Sequence, residues 1–109
     1  MKIMKHSDMK GGWFVGSFSP AILHTTEFEV GIKYYRAGEH ELTHVHKIAS
    51  EITMIVEGKV TMNGMELAKG DIILLEPGEP TNFCVLEDTI TAIVKTPSIP
   101  SDKYFIEYA

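Results

Sequence analysis

Between Glu27 and Tyr35 apolar and polar residues alternate. Phe28, Val30, Ile32 and Tyr34 fall on one face and Glu27, Glu29 and Lys33 on the other. This is the period-two signature of a strand with one face in a core, and it predicts that the apolar row points inward. Further on, EITMIVEG reads as a strand stopped by Gly58, and KVTM turns through Asn63-Gly64 into MELA. Asn-Gly between short strands predicts a two-residue hairpin, because a type I′ turn needs positive φ at both central positions. Lys69-Gly70-Asp71 is the next turn, IILL (72–75) the next strand, and EPGEP (76–80) a rigid turn whose prolines cannot serve a ladder. TNFCVL and TITAIVKT flank a turn at Glu87-Asp88. Turns recur about every eight to twelve residues without a helical period, so the fold class is all-β, a sandwich or barrel. The last stretch, PSIPSDKYFIEYA, is broken by proline and then aromatic, and is expected to pack Tyr104, Phe105 and Tyr108 on the exterior or on a partner chain.

Composition narrows the class. At 109 residues the chain suits one core. No apolar run approaches a membrane span, and MKIMKHSDMKGG has lysines without the apolar segment of a secretory signal. A single cysteine, Cys84, excludes an internal disulfide and makes a reducing, cytoplasmic setting the expectation. A net charge of -5 with one arginine and no basic cluster argues against nucleic acid as partner.

The candidate chemistry lies in GEHELTHVHKIASEITMIVEG (38–58), which carries His44, His46 and Glu51. Histidines at i and i+2 on a strand face the same way, about 6.6 Å apart along it at the usual rise, close enough to converge on one ion. Glu51 adds an anionic oxygen. Two imidazoles and a carboxylate hold Fe, Mn, Ni, Co or Zn as divalent ions and leave coordination positions open for water or substrate.

With these residues the chain resembles the cupins, small jelly-roll barrels whose first motif is G-x5-H-x-H-x(3,4)-E-x6-G. Gly38, His44, His46, Glu51 and Gly58 fill every fixed position. The second motif, G-x5-P-x-G-x2-H-x3-N, is met at Gly70 and Gly78, with Glu76 at the proline, Thr81 at the fourth-ligand histidine and Val85 at the asparagine. The resemblance covers residues 38 to 85 and implies a single-domain double-stranded β-helix barrel over 1–109, with an N-terminal arm to about residue 18 and a tail from about residue 97. It implies a metal inside the barrel held by His44, His46 and Glu51. It does not identify a reaction, because the fold serves dioxygenases, sugar isomerases and epimerases, decarboxylases and ligand-sensing domains.

Strand alternation places Thr81, Phe83 and Val85 toward the lumen and Asn82 and Cys84 outward. Thr81, a neutral hydroxyl, is not expected to be a direct ligand, and Cys84 is read as a small buried hydrophobe. Tyr34, Tyr35 and His40 are the plausible additional acid–base groups, and Tyr34 and His40 are the candidate catalytic residues. His40 shares parity with His44 but sits about 13 Å up the strand, at the rim. Arg36 and Lys47 are read as solvated charges. The expected function is a metal-dependent enzyme acting on a small polar molecule, a sugar or sugar derivative by analogy, of isomerase, epimerase or dioxygenase type. The alternative is a non-catalytic binding or sensing module with a structural or lost metal. A homodimer is expected, since a jelly roll of this size has sheet edges to cover and exchange of WFVGSF would cover one.

Overall fold

The computed structural model describes residues 1–106; the expectation for Tyr108 lies outside them. Among the described residues eleven strands follow a 3₁₀ turn at His6–Asp8: β1 Trp13–Gly16, β2 Leu23–His24, β3 Glu29–Tyr35, β4 His40–Val45, β5 Ser50–Glu57, β6 Lys59–Met62, β7 Met65–Ala68, β8 Ile72–Leu75, β9 Thr81–Val85, β10 Thr89–Thr96 and β11 Tyr104–Phe105. No α-helix occurs among the described residues, and so none is long and apolar enough to cross a membrane. Two sheets form, one in the order β2-β1-β3-β10-β5-β8 and the other β11-β4-β9-β6-β7.

The turn chemistry works as the sequence indicates. Met62 pairs with Met65, and between them Asn63 and Gly64 take φ of 50° and 79°, both positive as a type I′ turn requires. Inward residues of the two sheets meet in a core of Ile55, Val60, Met62, Leu75, Phe83 and Val85. Ile55 and Val60 are wholly buried, and each such side chain contributes about 1.5–3 kcal/mol. This apolar plug fills one end of the barrel and leaves the other to polar side chains.

The alternation in β3 is present, but its face is reversed from the sequence expectation. Glu29 and Gly31 are buried and Lys33 and Tyr35 line the lumen, whereas Tyr34 is 65% exposed. Val30, Ile32 and Tyr34 form the outer row, and Met4, Met9, Phe14 and Ile22 of the N-terminal segment gather against Ile32 and Tyr34. Apolar residues mark the inside only when the inside is apolar; here the lumen is polar at this end and the outer face carries the hydrophobes. The ladders extend that outer face across four strands. Val30 pairs with Val94, Val94 with Ile52 and Ile52 with Leu74; Ile32 pairs with Ala92, Ala92 with Met54 and Met54 with Ile72. Cys84 also departs from expectation: it is exposed, because only the odd positions of β9 face inward. WFVG, considered above for exchange, pairs in cis as β1 along β3.

Candidate metal centre

His44 lies near the end of β4, His46 just beyond it, and Glu51 is the second residue of β5; all three are buried. They open on one cavity at the polar end of the barrel, with a volume of about 40 Å³. That holds an ion with a few waters and excludes a large substrate.

The backbone fixes which ring nitrogen each histidine offers. His44 Nδ1 is 3.0 Å from the carbonyl of Leu42, and His46 Nδ1 bonds the carbonyl of Asp102. A carbonyl can only accept, so each Nδ1 carries a proton and Nε2 is the nitrogen through which either ring, when neutral, could ligate. His46 Nε2 is buried without a hydrogen-bond partner and stands 3.4 Å from Glu51 Oε1. A ring nitrogen and a carboxylate buried that close without a hydrogen bond call for a positive charge beside them, either a proton on the ring or a metal ion. The residues therefore fit the metal that the sequence implies. Burial pushes the His44 imidazole below its ordinary pKa, with Lys103 and His46 adding to the effect, which keeps it neutral and able to ligate. Burial alone would raise the Glu51 carboxyl, but His46, Lys95 and a 3.2 Å hydrogen bond from Thr53 Oγ1 hold it below the usual value. The triad is gathered without being closed: His44 and His46 stand edge to face with ring centres 5.3 Å apart, and no group of three His, Cys, Asp or Glu side chains among the described residues has the spacing of a formed site.

Thr81, the register partner of His44 on the neighbouring strand, is buried beside it on the same wall of the cavity, its hydroxyl donating to the carbonyl of Asn82 at 3.1 Å. Tyr34 and His40 lie elsewhere. Tyr34 meets the edge of His6 on the outer face, and His40 is exposed beside Cys84. Of the three plausible groups only Tyr35 lines the lumen, beside Glu41. The Tyr35 hydroxyl donates to Glu41 Oε1 at 3.2 Å, and Lys33 Nζ lies 3.9 Å from the same oxygen. Burial, with Glu41 adding to it, pushes the Tyr35 phenol well above its ordinary pKa, so it stays protonated. Parity with His44 would put Glu41 outside, but the β4–β9 register shifts between Glu41 and His44 and turns it inward. Asp102 was equally hidden in the sequence. Its Oδ1 accepts from the N–H of Lys47 at 2.9 Å and its Oδ2 from those of Ile48 and Ala49 at 3.0 and 2.9 Å. Together with its carbonyl on His46, it ties the C-terminal segment to the loop between the ligands.

No protein-family model matches the sequence, and no curated protein matches it. Solved structures do match in fold. An uncharacterized conserved protein with a double-stranded β-helix domain from Klebsiella pneumoniae superposes with a TM-score of 0.70 at 19% identity, over 99% of this chain and 99% of that one. KdgF from Halomonas gives 0.64 at 21% identity, over 71% of this chain and 74% of that. A sugar phosphate isomerase of the cupin superfamily from Silicibacter pomeroyi gives 0.64 at 22%, over 75% of this chain and 58% of that. Two sheets closing on a polar lumen, with these likenesses, identify the fold of this chain as that of a cupin.

Proposed function

We propose that this protein is a metal-dependent enzyme acting on a small polar molecule, with His44, His46 and Glu51 holding one divalent ion of Fe, Mn, Ni, Co or Zn. The observation that carries the reading is the buried Nε2 of His46, without a hydrogen-bond partner and 3.4 Å from a Glu51 carboxylate oxygen. When bound, the ion supplies Lewis acidity toward a carbonyl or hydroxyl, or toward O2 in the case of iron. The chain's own residues do the rest. The carbonyls of Leu42 and Asp102 fix the two rings, and Glu51 provides negative charge. Tyr35, protonated and bonded to Glu41, offers a proton at its hydroxyl, while Glu41 offers a carboxylate to receive one. A sugar or sugar derivative as substrate, with isomerase or epimerase chemistry, is supported by the likeness to the sugar phosphate isomerase. A cytoplasmic setting accords with the free, exposed thiol of Cys84.

Elemental analysis of protein purified without added metal tests the reading, followed by titration of EDTA-treated protein with Fe(II), Mn(II) and Zn(II). Near-stoichiometric metal is expected. His44→Ala and His46→Ala should abolish binding in a barrel that still unfolds cooperatively, and Glu51→Gln should weaken it by about tenfold or more by removing the ligand charge. A metal-free protein that takes up none of these ions would overturn the reading and leave the non-catalytic binding module.

A further inference from the structure

Outside the metal cavity, and sharing its Trp13, Lys33, Lys95 and Lys103, lies a vestibule of about 260 Å³ that Lys10 also lines. Four of the nine lysines of a chain with net charge -5 thus converge on one opening, from the segment before β1, from β3, from β10 and from the C-terminal segment. Trp13 organises them. Its ring lies on Gly31, where a Cβ would stand 2.8 Å from it, and Lys33 and Lys95 lie over the ring at 5.5 and 4.8 Å. Carboxylates already answer two of the charges: Glu41 is 3.9 Å from Lys33, and Glu29, which also accepts from Ser98 Oγ at 3.0 Å, is 3.6 Å from Lys95. Among the described residues no carboxylate lies within salt-bridge distance of Lys10 or Lys103.

We propose that this vestibule is the seat of an acid group, carboxylate or phosphate, on a small molecule whose other end reaches the metal cavity. Burial pushes the Lys33 ammonium below its ordinary pKa against the pull of Glu41, and Lys103 and Lys95 push it further in the same direction, so these charges repel one another as they stand. An anion among them relieves that repulsion and gains several charge-assisted contacts at once. The vestibule and cavity together suit one metabolite-sized molecule. The position of the reacting end rests on the metal-enzyme reading; the charge of the ligand does not.

Calorimetric titration with D-glucuronate, D-glucose 6-phosphate and D-glucose, on metal-loaded and on EDTA-treated protein, tests it. At least one acid probe should bind about tenfold or more tightly than glucose, with an advantage that shrinks as salt rises. The ranking of glucuronate against glucose 6-phosphate separates carboxylate from phosphate. Lys10→Gln with Lys103→Gln should erase most of the advantage at unchanged circular dichroism and thermal midpoint, and Lys103→Glu should erase it alone. No measurable binding of either acid probe, binding of glucose as tight as theirs, or an undiminished advantage in the folded double variant overturns the proposal. An acid preference that persists in EDTA-treated protein and in His46→Ala supports the vestibule even if the metal reading fails. Stoichiometric metal without an acid preference overturns the vestibule alone.

Discussion

Asp102 holds the loop that bears His46 with one carboxylate. Its two oxygens accept three main-chain N–H groups, of Lys47, Ile48 and Ala49, and its own carbonyl sets the tautomer of His46. Asp102→Asn keeps the shape but turns an amide donor toward N–H groups that need an acceptor. A loss on the order of 2 kcal/mol is expected in denaturant unfolding, together with a drop of about tenfold or more in metal affinity as the loop at 47–49 loosens and the segment whose carbonyl orients the His46 ring is no longer tied to it. Burial works to raise the Asp102 carboxyl, yet the three N–H donors and His46 bring it below the ordinary value of 3.8. A carboxyl lowered in the native state contributes fully at pH values above its unfolded pKa and loses that contribution as pH falls through the native one. The stability curves of wild type and Asp102→Asn should therefore stay separated at neutral pH and converge only in acid, below about pH 4. Convergence already near neutrality would assign the difference to another group.

At the scale of elements, the β6–β7 hairpin shows how local chemistry sets register. Gly64 has open space where a Cβ would go, so replacing it costs only backbone strain at φ of 79°. Gly64→Val should destabilise by about 1 kcal/mol or more in thermal or denaturant unfolding, and an unchanged midpoint would mean that the turn relaxes to another type. Asn63 also ties the turn to β9, exchanging bonds with Asn82 and donating to the carbonyl of Pro80. Features of this kind are written in consecutive residues, which is why the strands and turns from Glu51 to Thr96 were legible in the sequence. The His44, His46 and Glu51 grouping was legible for the same reason, since its spacing is local. What could not be read depended on partners distant in the chain. Whether Val30 or Lys33 faces the lumen is decided by what the opposite sheet and the N-terminal segment present, and alternation alone gives the period without the face. The register shift at Glu41 arises in pairing with β9, and Asp102 acts across more than fifty residues on the loop at 47–49. No sequence signal marked either one.

The whole molecule leaves a largely apolar face open, the outer side of β10, β5 and β8. Ile72 and Leu74 on the end strand β8 are 67% and 56% exposed, and Ile52, Met54 and Val56 are also exposed beside them. On the order of 500 Å² of apolar surface is open there, at the upper end of what soluble monomers leave uncovered. We infer that a second copy of this chain covers it. A two-fold interface sets each residue against its own kind or near neighbours, so charged groups on it would meet like charges. Of the outward positions of these strands, Ser50, Ile52, Met54, Val56, Ile72, Leu74, Ile90, Ala92, Val94 and Thr96 carry no charge, and the one charged residue paired among them, Glu57 opposite Ile90 at the end of β5, is answered by Lys69 at 3.3 Å. With its polar rim the face approaches the roughly 800 Å² per partner of a stable complex. Sedimentation velocity should show a dimer for the wild type and a monomer for Ile72→Glu at the same concentration, with circular dichroism unchanged because residue 72 lies outside the core. A monomeric wild type would leave the face without its partner. A variant that stays dimeric would move the interface elsewhere, to exchange of the WFVGSF strand along β3, which Trp13→Ala would then be expected to weaken.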